Sequence, residues 1–119
     1  MPDVNGMGAG RLFLVAGLMW MVCGQVRAQD VDAAALYGRQ CAACHGEDLR
    51  GSEQGPPFLN AIYRPGHHPD VAFLVAVRSG VRPHHWNFGE MPPIVGLNDE
   101  QVAAIIKYVR TQQRDAGIE

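Results

Sequence analysis

Three residues in one short run could do chemistry together: Cys41, Cys44 and His45, within Cys41-Ala42-Ala43-Cys44-His45. On a helix, residues three and four apart lie on one face, so a helical CAACH projects both thiols and the imidazole to the same side. Two thiols at that spacing can add to the two vinyl groups of one haem, and the adjacent imidazole then lies under its iron as a ligand. Three other chemistries use the same residue types. A redox dithiol belongs in a unit of alternating strands and helices, and no such pattern surrounds this one. A structural zinc site needs four ligands, and without a second cysteine pair it would have to recruit His67, His68, His84 or His85. A plain disulfide would leave His45 without a task. Haem attachment uses all three positions of C-x-x-C-H, so the expected cofactor is one haem c, held covalently through Cys41 and Cys44.

The elements that must position these residues read as helices separated by Gly and Pro. Asp32 to Cys41 is alanine-rich, with Asp32 near its start and Ala33, Leu36, Tyr37 and Gln40 on one face. Gly46 to Pro69 is broken throughout by Gly46, Gly51, Gly55, Pro56, Pro57, Pro65 and Gly66 and reads as loop with at most a short helical turn. Asp70 to Ser79 lies between Pro69 and Gly80, which suits a helix, although its apolar run also suits a buried strand. The clearest helix opens at Asn98-Asp99-Glu100-Gln101, an N-cap with acids in the first turn and Gln at N3. Val102, Ile105, Ile106 and Val109 then follow at i, i+3, i+4 and i+7. No repeat and no convincing strand ladder is visible.

Charge and length narrow the function. The chain has 119 residues, 10 Lys and Arg against 12 Asp and Glu, so one small domain without a basic field is expected. Nucleic acid and anionic lipid are therefore not expected partners. Arg11 precedes an unbroken apolar stretch from Leu12 to Val22, and Val26 and Ala28 stand third and first before a cut after Ala28. That pattern reads as a secretory signal peptide over 1–28, leaving a domain over 29–119. A spanning helix needs about 20 apolar residues, and Arg27 closes the run short of that. A lipoprotein cut before Cys23 would need small residues where Met21 and Val22 stand. Without residues 1–28 only two of the 3 Cys remain, Cys41 and Cys44, and of the 5 Met only Met91.

Cys41 to Gly46 (CAACHG), Gly55-Pro56-Pro57-Phe58, Met91-Pro92-Pro93 and the closing LNDEQVAAIIKYV helix resemble class I c-type cytochromes, particularly the small bacterial monohaem kind. The resemblance spans about Asp32 to Gln112. It implies an all-α fold class, the cytochrome c fold, with three or more helices around one haem and the first and last crossing, where Tyr37 and Tyr108 suit the contact. Ala33 stands where many relatives carry Gly. The family pattern puts the Pro56 carbonyl on the outer ring nitrogen of His45, a bond that fixes the tautomer of the iron-binding imidazole. It makes Met91 the distal iron ligand, on a Pro-bounded loop, and thioether ligation raises the potential. Trp86 lies five residues before Met91, a spacing similar to that of relatives whose indole N–H donates to a haem propionate, and Arg82 could serve the same propionate.

His67-His68 and His84-His85 are the competitors of Met91. Either pair could complete a bis-His iron of lower potential, form a secondary metal site, or lie in a loop and titrate near neutral pH. With both axial positions filled the iron binds no substrate, so the expected protein is a periplasmic one-electron carrier and not an enzyme. It would be a monomer when free and would dock briefly on redox partner proteins. With Lys107 as its one lysine in the domain, docking is expected to use arginines or an apolar patch. Two alternatives stand beside this: a small haem subunit of a dehydrogenase or terminal reductase complex, associated with the membrane through that complex or a retained leader, and an open-iron enzyme or gas sensor.

Overall fold

The computed structural model describes residues 31–119, so the expected leader over 1–28 lies outside the described residues. The described chain forms four α-helices: α1 (Ala33–Gln40), α2 (Ala42–His45), α3 (Asp70–Ser79) and α4 (Asp99–Asp115). A 3-10 turn, Ala61–Tyr63, is the short helical piece within the Gly and Pro-rich loop. Sheet is limited, among the described residues, to one antiparallel bridge between Val81 and Met91. None of the helices there is long and apolar enough to cross a membrane.

Local chemistry sets the ends of these elements. Asp32 caps α1 by accepting the Ala35 N–H at 2.9 Å. Asn98 and Gln101 form a reciprocal capping box on α4, with bonds of 2.8 and 3.0 Å. The segment that could have been helix or strand is a helix over the whole of Asp70–Ser79, stopped by Gly80 in the left-handed region at φ 74°. α1 is shorter than the sequence suggests. It ends at Gln40, and Cys41 (φ −125°) separates it from the one-turn α2 that carries the rest of CAACH. The Cys41 carbonyl still accepts from His45 N–H at 2.9 Å and from Cys44 N–H at 3.2 Å, so the local i, i+4 relation survives the break.

The core lies where α1 and α4 pack together. Leu36 and Tyr37 from α1 meet Val102, Ile105, Ile106 and Val109 from α4, with Leu49 and Leu97 closing the cluster. The Tyr37 and Tyr108 rings are 5.4 Å apart at this contact, as the crossing requires. α3 behaves differently. It is highly apolar, yet none of its ten residues is fully buried. Phe73, Leu74 and Val77 touch the core only in part, while Val71 and Val75 are exposed.

A buried polar post that the sequence reading missed holds α3 and the loop before it against α4. Arg110, 6% exposed, bonds Asp70 at the start of α3 at 2.7 Å and also donates to the carbonyls of Tyr63 and His68. Its guanidinium lies 4.7 Å from the centre of the Phe73 ring. Gln113, 1% exposed, accepts from Arg110 and donates to the carbonyls of Phe58 and Tyr63. A buried charge persists only when it is paired and hydrogen-bonded, and these partners take four of the five guanidinium N–H groups.

Candidate functional site

His45 ends α2 and points into the protein, where it is buried. Its Nδ1–H donates to the Pro56 carbonyl at 2.9 Å. That bond fixes the tautomer and leaves Nε2 unprotonated, with its lone pair free to ligate a metal. Gly55 makes the approach possible: a Cβ there would meet the Cys44 carbonyl oxygen at 2.8 Å, so only glycine lets the 55–57 segment lie against α2. Phe58 stacks on the imidazole, ring centres 4.1 Å apart and planes 18° apart, and so holds the ring plane. Burial lowers the pKa of His45, partly opposed by the Pro56 bond, and so favours the neutral ring that metal ligation needs.

The two thiols are both free, Cys41 half-buried and Cys44 exposed. Burial, with Cys44 adding, pushes the Cys41 thiol up to about 11. A thiol held protonated is a poor attacking nucleophile, which weighs against the redox-dithiol reading.

The second part of the site is the loop from Gly80 to Pro93. Val81 and Met91 exchange two backbone hydrogen bonds of 2.9 Å, pinning Met91 beside the end of α3. Gly80 permits this, since a Cβ on it would come within 2.5 Å of the Met91 carbonyl oxygen. The Met91 side chain is half-buried. Inside the loop, Trp86 Nε1–H is buried and has no hydrogen-bond partner among the described residues. Burial raises the pKa of the Tyr63 phenol, an effect the indole partly offsets, but no acceptor stands in bonding geometry to Nε1. Arg82 lies exposed two residues after Gly80.

The two histidine pairs, distant in sequence, meet in space. His67 Nε2 and His85 Nε2 are 3.3 Å apart, and His68 Nε2 and His84 Nε2 are 3.5 Å apart. Desolvation, followed by the charges of His84, His68 and His67, lowers the pKa of His85. Pairing of His67-His68 with His84-His85 was not visible in the sequence, where they read as two separate pairs.

A haem suits this set of groups on three observations: two free thiols at C-x-x-C spacing, an imidazole whose outer nitrogen is already bonded, and a buried indole N–H with no acceptor among the described residues. The half-exposed apolar side of α3 supplies the kind of wall a flat apolar ring packs against.

Comparison with known proteins agrees. The chain is 34% identical over 93 residues to the Cbb3-type cytochrome c oxidase subunit CcoP of Rhodobacter capsulatus, a match covering 71% of this chain and 30% of that subunit. The chain thus spans less than a third of that relative's length. The family model for cytochrome c matches residues 31–113, from the start of α1 almost to the end of α4. This is an all-α chain whose CAACH motif supplies thiols for a covalent haem c, and it belongs to the cytochrome c family of electron-transfer proteins.

Proposed function

We propose that this chain is an exported, monomeric carrier of single electrons, with haem iron held between His45 and Met91, and that it has no substrate of its own. The observation that carries this reading is the His45 imidazole, neutral, stacked on Phe58 and fixed by the Pro56 carbonyl at 2.9 Å. When bound, the haem supplies a one-electron ferric/ferrous couple. The residues supply rigidity and a dry surrounding. His45 is held by a bond and a stack, so its Nε2 need not reorient as the iron changes charge. Met91 is held by the paired backbone of Val81 and by Pro92 and Pro93 after it, and its soft thioether favours the ferrous state. The Trp86 indole offers a donor for a propionate, a charge-assisted bond that would satisfy both groups. Residues 1–28 act as the export leader, and the domain over 29–119 works in the periplasm.

Replacing Met91 by Ala tests the axial assignment. The ferric protein should lose the far-red charge-transfer band of Met-bound haem, and the ferrous protein should begin to bind carbon monoxide readily. A band that survives Met91→Ala would contradict the assignment.

A second reading, a haem subunit of a larger redox complex, is favoured by the relationship to an oxidase subunit and by exposed apolar side chains at Val71, Val75 and Val95, the last 85% exposed. Purification under mild conditions separates the two: the carrier elutes alone, and the subunit elutes with its complex.

A further inference from the structure

We propose that His67, His68 and His85, with His84 as a fourth donor, form a second metal site, separate from the haem iron, for a divalent cation of zinc's size and ligand preference. The site joins two loops, one leading into α3 and the other between α3 and Met91. One ring nitrogen from each of His67, His68 and His85 lies within 4.8 Å of the other two.

The distances suit a tetrahedral ion. With metal–nitrogen bonds of about 2.0–2.1 Å, donors at the corners of a tetrahedron stand about 3.3–3.4 Å apart. His67 and His85 present their Nε2 atoms 3.3 Å apart, and His68 and His84 present theirs 3.5 Å apart. An all-imidazole set suits zinc and its transition-metal neighbours and does not suit magnesium or calcium, which take oxygen ligands.

The rings are also oriented as ligands are. His68 Nδ1–H donates to the Ile62 carbonyl at 2.7 Å, and His84 Nδ1–H donates to the Arg82 carbonyl at 3.0 Å. Each bond puts the proton on Nδ1 and turns the Nε2 lone pair toward the cluster, the outer-shell arrangement that metal-bound imidazoles show. His68 Nε2 and His84 Nε2, 3.5 Å apart and both acceptors only, cannot hydrogen-bond each other, and a cation between them would satisfy both lone pairs.

The scaffold beneath is fixed. The His68 carbonyl accepts from the buried Arg110, tying the first loop to α4. The Val81–Met91 bridge closes the base of the second loop. His67, His84 and His85 are exposed, so an ion can reach them from solvent.

The test is calorimetric titration of the haem-loaded protein with zinc chloride, with magnesium chloride as the control. The expected result is saturable one-to-one zinc binding and no magnesium binding. In the variant His67→Gln, His85→Gln the zinc affinity should fall by more than the roughly tenfold to hundredfold that loss of an outer-shell partner costs. Both side chains are exposed, and the ferric far-red band should be the same in the variant, reporting an intact haem pocket. Absent or non-stoichiometric zinc binding, equal binding of magnesium, or undiminished affinity in the variant would overturn the proposal. So would a far-red band that is absent from the wild-type protein and appears in the variant, which would place one of these histidines on the haem iron.

Discussion

Tyr37 shows how a single residue joins core to site. It is fully buried between α1 and α4, and its hydroxyl donates to the Gly46 carbonyl at 2.7 Å, immediately after His45. Burial raises its pKa, and the nearby Cys41, Tyr108 and Asp48 add to the rise. A tyrosine whose folded pKa exceeds its unfolded value contributes stability that is complete below about pH 10 and is lost as pH rises through the folded value. Tyr37→Phe should therefore cost about 1 kcal/mol at neutral pH, because the Gly46 carbonyl loses its shorter bond and keeps only the Leu49 N–H, and should reduce the alkaline loss of stability. Thermal melts of both proteins from neutral pH to about pH 11 measure both effects. An unchanged alkaline slope would show that Tyr37 does not carry it. The CAACH motif, Pro56 and Trp86 could be picked out in the sequence because each sits at a set distance from a recognisable run. The missing acceptor of the Trp86 indole and the Phe58 stack on His45 could not, since both depend on segments that meet only in the fold.

Among the elements, α3 and its flanking loops do most to shape the site. Gly80→Ala should strain the left-handed C-cap and push against the Met91 carbonyl, opening the Val81–Met91 bridge. The expected outcome is a weakened far-red band, read by absorption against pH and temperature; an unaltered band would mean that the bridge does not hold Met91 in place. Arg110→Met should cost about 3 kcal/mol or more in denaturant unfolding, because the carbonyls of Tyr63 and His68 and the Gln113 amide oxygen lose a shared donor. Asp70 is largely exposed and regains water, so the ion pair itself is the smaller part of that loss. The limits of α3 and the capping box of α4 were legible because Pro, Gly, Asn and Gln act on their nearest neighbours. The break at Cys41 was not, since the alanine-rich run continues through it and the turn shows only in the backbone. Arg110 was hidden for a different reason: on a helical wheel it reads as one more charge, and its partners lie 40 to 47 residues away.

At the scale of the molecule, the protein is a small domain whose core is a single helix crossing. Chains of this size often need a staple or a cofactor to complete their apolar centre. The apolar side of α3, none of it fully buried, is a surface that a haem would cover to complete that centre. A Cys41→Ala, Cys44→Ala variant should accordingly be largely unfolded by circular dichroism, and a native-like helical spectrum would show that the polypeptide suffices by itself. All-α class, the order of the helices and the C-x-x-C-H chemistry could be read from the sequence, because each is a short-range pattern. The meeting of four histidines from two loops could not, because their separation in the chain carries no signal of their contact. The central claim is that both cysteines hold one haem in an exported domain, and the intact mass under denaturing conditions tests it most directly. Protein exported together with the haem-attachment machinery should have the mass of residues 29–119 plus one haem. A mass equal to the polypeptide alone, with haem lost on denaturation, would contradict it.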